Sequence, residues 1–208
     1  MEENPILGVI GGSGFHNISG LEDAQTVDVD TPFGKPSSPI LIGRLENRRV
    51  AFLVRHGIGH FIMPGEVNYR ANIYALKSLG VQFVVGISAC GSLRHDFQPG
   101  EMVVPDQLVD FTRKREQTFF GDGLVAHVGV AEPFCKELSN LLVQTAEKSG
   151  AVVHKGGVYI SIEGPRFSTR GESNLFRAWG ISIIGMTTCP EAFLAREAEL
   201  SYATLAHI

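Results

Sequence analysis

The chain has 208 residues with no linker-like shift in composition, which favours one domain spanning 1–208. Its formal charge of −4 excludes the basic excess that phosphate-backbone binding needs, and 44% hydrophobic with 19% charged residues excludes a disordered chain. Apolar runs such as 82–88 and 181–186 fall far short of the roughly 20 residues that cross a bilayer, so neither nucleic acid nor membrane is an expected partner.

In chain order, residues 6–10 read as a strand ending in Gly11-Gly12-Ser13-Gly14, and 39–45 with 49–54 as a hairpin joined by Glu46-Asn47-Arg48. Val67, Ala71, Ile73, Tyr74, Leu76 and Leu79 recur at helical spacing and predict a helix over 67–79 with Gly80 as its stop. The continuous apolar run 83–87 predicts a strand covered on both faces, followed by Ser88-Ala89-Cys90-Gly91-Ser92. Short strands are expected at 101–104 and 107–111. The polar stretch 112–127 reads as a long surface loop, with Arg113-Lys114-Arg115-Glu116 and Asp122 on its solvated face. A helix over 133–149, a strand over 157–162, a helix over 169–179, a strand over 181–185, a helix over 190–199 and a strand from 202 to 207 complete the series. Strands alternating with helices predict an α/β fold: a mixed, largely parallel central sheet flanked by helices.

In such sheets ligands bind beyond the carboxyl ends of the strands. The residues gathered there are Ser13, Arg55-His56, Ser88-Ala89, Phe167-Ser168 and Met186-Thr187. Hydroxyls, a guanidinium fork, an imidazole and glycine-rich backbone suit a tetrahedral dianion such as phosphate. Phe167 and Met186 suit a flat heterocycle and a sugar face. Taken singly each feature has a plain structural reading: a tight turn at Gly11–Gly14, a structural ion pair at Arg55, core packing at Phe167 and Met186. Gly11-Gly12-Ser13-Gly14 matches neither a Walker loop nor the spacing of a dinucleotide site. Glu163 and Glu191, conceivable hydrolase carboxylates, read better as structural hydrogen-bonding groups. Cys90, Cys135 and Cys189 form no metal pattern and read as free thiols in a reducing cytoplasm. The acidic start Met1-Glu2-Glu3-Asn4 carries no export signal.

Seven ordered motifs then coincide: Gly11-Gly12-Ser13-Gly14, Asp30-Thr31-Pro32-Phe33-Gly34, Arg55-His56-Gly57, Met63-Pro64 with Val67-Asn68-Tyr69, Ala89-Cys90-Gly91-Ser92, Glu163-Gly164-Pro165-Arg166-Phe167-Ser168, and Met186-Thr187-Thr188-Cys189-Pro190-Glu191. Together they resemble the trimeric purine nucleoside phosphorylase family, nearest its methylthioadenosine branch, along nearly the whole chain. The resemblance implies that Ser13, Arg55, His56, Ser88, Ala89 and Thr187 hold phosphate, that Phe167 packs on the purine, and that Met186 lies against the ribose. Ser168 stands where the 6-oxopurine branch has a Glu, which points to a 6-aminopurine. His127 matches a residue donated across a subunit interface to the 5′ end of the nucleoside, so a homotrimer or a dimer of trimers is implied.

The implied reaction is phosphorolysis of 5′-methylthioadenosine to adenine and 5-methylthioribose 1-phosphate, with phosphate as co-substrate and no metal or organic cofactor. The catalytic acid of that family follows the strand 202–207, so it is expected beyond Ile208 together with a C-terminal helical part of the fold. The alternatives are a 6-oxopurine nucleoside or 5′-methylthioinosine phosphorylase, and a truncated nucleoside- or phosphate-binding protein without activity.

Overall fold

The computed structural model describes residues 4–12 and 18–208. Ser13 and Gly14, half of the first motif, lie outside the described residues. Twelve strands and four helices follow in the described chain: β1 (Leu7–Gly11), β2 (Glu22–Val27), β3 (Ile40–Leu45), β4 (Arg48–Val54), α1 (Tyr69–Ser78), β5 (Phe83–Ala89), β6 (Gly91–Ser92), β7 (Met102–Val104), β8 (Gln107–Phe111), α2 (Lys136–Lys148), β9 (Val153–Lys155), β10 (Val158–Ile162), α3 (Arg170–Ala178), β11 (Ile183–Gly185), α4 (Thr188–Glu197) and β12 (Ser201–His207).

The strands form two sheets, the larger being the mixed central sheet that helices flank. The larger has the order β2-β3-β4-β1-β5-β12-β7-β9, and the smaller the order β6-β11-β10-β8. In the large sheet β4, β1, β5 and β12 run parallel, with Gly11 level with Val54 and Ala206 level with Ser88. Their carboxyl ends therefore share one edge. In the small sheet β8, β10 and β11 are parallel, and only β6 opposes them.

Alternate residues of a strand face opposite layers, and the core shows it. Val84 and Tyr202 pack with Ile73 and Leu76 of α1 and Leu194 of α4, whereas their neighbours Val85 and Ala203 pack against Leu138 of α2. Helices thus cover both faces of the large sheet, which explains why 83–87 is apolar without alternation. Tyr159 and Ile183 of the small sheet meet Val103 and Ala206 of the large one and join the two.

The helix ends follow the local chemistry. Asn68 caps α1 by accepting from the Ala71 N–H at 3.1 Å, and its amide donates to the Phe33 carbonyl at 2.7 Å, which ties the Asn68 and Phe33 motifs together. Thr169 and Glu172 form a reciprocal capping box at the start of α3. Inside α4 Cys189 is extended (φ −101°, ψ 135°), so the regular helix begins at Pro190, as a proline at a first helical position allows. The helix expected over 133–149 begins only at Lys136, because the chain through Pro133 is not yet helical.

Leu76 is fully buried, and its side chain lies 3.3 Å from where a Cβ on Gly8 would sit, so α1 rests directly on β1. Leu76→Ala is expected to cost about 2–5 kcal/mol, because that contact leaves a cavity that cannot collapse. The shift of the denaturant midpoint measures it.

Candidate active site

Four segments meet at the shared strand edge. Arg55 follows β4, and its N–H donates to the Gly11 carbonyl at 2.9 Å. Its guanidinium reaches across the sheet: Nη1 donates to the Ile87 carbonyl at 3.0 Å and Nη2 to the Ile10 carbonyl at 3.3 Å. Nε and Nη2 grip the two carboxylate oxygens of Glu191 at 2.8 and 2.9 Å. Burial alone lowers the Arg55 pKa, and the Glu191 charge and hydrogen bonds outweigh it, leaving the guanidinium above its ordinary value. Glu191 also accepts from the Tyr202 hydroxyl at 2.7 Å, and that hydroxyl is in reach of Thr204 at 3.3 Å. Gly86 makes room for this cluster, since a Cβ there would overlap the Tyr202 hydroxyl.

Next to this ion pair the Ser88 and Thr187 hydroxyls are 3.0 Å apart, both buried, although 99 residues separate them in the chain. They bring the end of β5 to the turn after β11. His56 is buried, with Nδ1 2.8 Å from the Ile62 carbonyl and its ring stacked on His60 at 4.5 Å. Burial lowers its pKa, the Ile62 carbonyl opposes this, and Arg55 and His60 add to the lowering, so the imidazole is below its usual value and neutral at pH 7.

Met186 links this hydroxyl pair to the second half of the site. Gly164 adopts φ +68°, and a Cβ there would meet the Met186 sulfur at 2.6 Å and Pro64 at 3.4 Å. The motifs around Pro64, Gly164 and Met186 are therefore packed together. Phe167 projects from the same loop with 83% of its surface exposed, free to meet a planar ligand. Ser168 stands one residue before the α3 cap, its hydroxyl 2.8 Å from that of Ser173. His127 is exposed in the loop between β8 and α2, outside this set of contacts.

The expected solvated face at 113–116 holds at Arg113, Lys114 and Glu116, which are exposed, but not at Arg115. Arg115 is buried, with a guanidinium satisfied by several partners, because its loop crosses the ends of β10 and β11. The residue type signals a surface, and nothing in the local sequence marks the carbonyls it meets. Glu163, held by the Arg113 N–H at 2.5 Å and by Arg115, lies below the ordinary carboxylate range although partial burial pushes it up. Glu163 and Glu191 thus both serve structural hydrogen bonds. The thiols are free; burial pushes Cys90 up to about 12 and raises Cys189 as well, which leaves neither a nucleophile at neutral pH. Among the described residues no group of three or more His, Cys, Asp or Glu could hold a metal ion. No helix there is long and apolar enough to cross a membrane. A hollow of about 1360 Å³ lined by Pro105, Phe134, Lys136, Arg196 and Tyr202 touches the site cluster at Tyr202 alone and includes none of Arg55, His56, Ser88, Thr187, Met186 and Phe167.

Residues 6–208 match the model of the phosphorylase superfamily. The chain belongs to that superfamily. Within it, the S-methyl-5′-thioadenosine phosphorylase of Koribacter versatilis is 51% identical over 97% of this chain and 69% of its own length. That of Chloroflexus aurantiacus is 55% identical over 97% of this chain and 70% of its own. A methylthioadenosine phosphorylase from an Antarctic soil metagenomic library superposes with a TM-score of 0.97 at 48% identity, covering 99% of this chain and 73% of that one. The Schistosoma mansoni methylthioadenosine phosphorylase in complex with adenine gives 0.93 at 42% identity, covering 98% and 78%. The fold shared with that metagenomic enzyme is a mixed α/β one with helices on both faces of its large sheet, and the order of the strands decides which loops meet.

Removing one partner of a buried ion pair strands the other charge. Glu191→Gln should therefore destabilise the protein by about 3–5 kcal/mol, read as a drop in the denaturant midpoint. For His56 the folded pKa lies below the unfolded value of about 6.5. Its contribution to stability is full above about pH 6.5 and is lost as the pH falls from there towards the folded value, because the unfolded chain then takes up the proton first. Unfolding midpoints from pH 8 to 5.5 should show this decline, and His56→Gln should flatten it.

Proposed function

We propose that this protein cleaves 5′-methylthioadenosine with inorganic phosphate, releasing adenine and 5-methylthioribose 1-phosphate. The observation that carries the reading is the Ser88–Thr187 hydroxyl pair beside the Arg55 fork, one residue along the chain from Met186 and next to the loop that presents Phe167. A hydroxyl-and-guanidinium group beside an apolar one suits a phosphate and a purine glycoside. The names of relatives 50–55% identical support the same reading.

Breaking the bond between C1′ and N9 leaves an oxocarbenium-like sugar. A phosphate dianion held beneath C1′ stabilises that charge and then captures it. In this proposal Ser13, Arg55, His56, Ser88, Ala89 and Thr187 hold the dianion. Neutral His56 donates or accepts a hydrogen bond without adding charge. Phe167 covers the purine, Met186 lies along the ribose, and Ser168 faces the base edge. The departing purine needs a proton or hydrogen bond at N7. Glu163 and Glu191 are both engaged elsewhere, so neither is assigned that role.

The same proposal makes the protein a cytoplasmic homotrimer that uses no metal or organic cofactor, with His127 of one subunit reaching the 5′ end of a neighbour's nucleoside. Exposed Leu124, Val125, Val128 and Val130 around His127 support a subunit contact there.

The test mixes protein, phosphate and either methylthioadenosine or inosine and follows free base. Adenine release that requires phosphate is expected; release without phosphate, or turnover of inosine alone, overturns the assignment. Thr187→Val should raise the KM for phosphate, because a hydrogen bond to a charged acceptor is worth about 1.5–3 kcal/mol, or roughly ten- to a hundredfold. Ser168→Glu should shift preference towards 6-oxopurine nucleosides, measured as the ratio of kcat/KM for inosine and methylthioadenosine.

A further inference from the structure

Resting on that functional reading, we propose that Arg115 is a positioning residue that makes the phosphate half and the nucleoside half of the site one mechanical unit. Its side chain is 1% exposed. Nη1 lies 2.5 Å from the Met186 carbonyl, 2.6 Å from that of Cys189 and 3.0 Å from the Tyr69 hydroxyl. Nη2 lies 2.8 Å from the Glu163 carbonyl and 3.4 Å from that of Ile162. Nε faces a Glu163 carboxylate oxygen at 3.3 Å.

All of these partners but Tyr69, which starts α1, belong to the two turns of the proposed site. Met186 and Cys189 bracket Thr187, whose hydroxyl meets Ser88. Ile162 and Glu163 begin the loop that continues through Gly164 to Phe167 and Ser168. The Tyr69 hydroxyl donates to the Pro64 carbonyl at 2.9 Å, which brings in the segment packed on Gly164. One planar fork with five N–H donors can bridge carbonyls of two separate turns at fixed angles, and a lysine ammonium, a point charge with three rotating donors, cannot hold them in the same register.

The loop bearing Arg115 is itself fastened on both sides. The Arg113 and Lys114 N–H groups donate to the Glu163 carboxylate, and farther along the Thr118 hydroxyl and the Phe119 N–H donate to Glu197 at 2.8 Å each. Glu163 therefore binds the loop from outside while Arg115 binds the two turns from inside. A shift of one turn displaces the other, and a misplacement of about 1 Å at a reacting centre costs roughly a hundredfold in rate.

The experiment measures the KM for phosphate, the KM for methylthioadenosine and kcat in wild type, Arg115→Lys, Glu163→Gln and, as single-sided references, Thr187→Val and Phe167→Ala. Arg115→Lys should raise both KM values and lower kcat, together reducing kcat/KM about 10- to 100-fold. Thr187→Val should move the phosphate KM alone and Phe167→Ala the nucleoside KM alone. A folded Arg115→Lys whose kinetics stay within about twofold of wild type, or which shifts one KM only, overturns the proposal. If Arg115→Lys does not fold, Glu163→Gln decides: a rise in both KM values supports the coupling, and a rise in one or neither overturns it. Should the wild type show no phosphorolysis, the activity reading fails by itself. The same variants are then titrated calorimetrically with inorganic phosphate and with adenine. Joint weakening in Arg115→Lys supports the coupling, and weakening of one ligand or neither refutes it.

Discussion

A guanidinium withdrawn from water must find its partners inside the protein, and this requirement shapes the strand edge where the site lies. Arg55 is almost wholly buried and spends four N–H groups on Glu191, Ile87 and Ile10. The bidentate geometry offsets a desolvation cost that an imperfect pair would not recover. Through it β1, β4, β5 and α4 are locked at one point. Tyr202 extends the lock into β12, and the bare backbone of Gly86 lets the hydroxyl come close enough to take part. Arg115 does on the small-sheet side what Arg55 does on the large: both cations fasten the stretch from Met186 to Glu191, one by its carbonyls and the other by its carboxylate. Thr187, between them, is fixed from two directions.

The parallel strands explain why distant motifs converge. Four strands of the large sheet end on one edge, and the small sheet delivers its own strand ends, at Ile162 and Gly185, beside them. Arg55 Nη1, only a bond's reach from the end of β5, and Ser88, a hydroxyl's reach from Thr187, occupy adjacent places because β4, β1 and β5 are neighbours in register. Apolar Met186 follows from the same geometry, since the turn that presents Thr187 to the polar edge presents its neighbour to Gly164.

Much of this architecture was legible in the residues. The helical periodicity from Val67 to Leu79, the unalternating run into Ser88 and the turn Glu46-Asn47, both residues at positive φ, are each decided within a few neighbours. β2 was not legible: Glu22–Val27 is mostly polar and exposed, and only its antiparallel partner β3 makes it a strand. β6 and β9, two and three residues long, are likewise defined by pairing. The division into two sheets depends on which strands pair, which hydrophobic pattern cannot reveal. At the site, hydroxyls and the Arg-His pair stood out by their place after apolar runs. Arg115 did not, for its neighbours Arg113, Lys114 and Glu116 give it the look of a solvated charge run and its carbonyl partners lie 47 or more residues ahead.

The pairing of Arg55 with Glu191 would leave the proposed oxyanion seat almost no net charge, since four of the five Arg55 N–H groups are already committed to Glu191, Ile87 and Ile10. A naked arginine would cling to any dianion, whether an incoming co-substrate or a departing sugar ester, and would hold the second as long as the first. Cancelling the monopole while keeping the dipoles lets such a seat select by shape and then release what it has made.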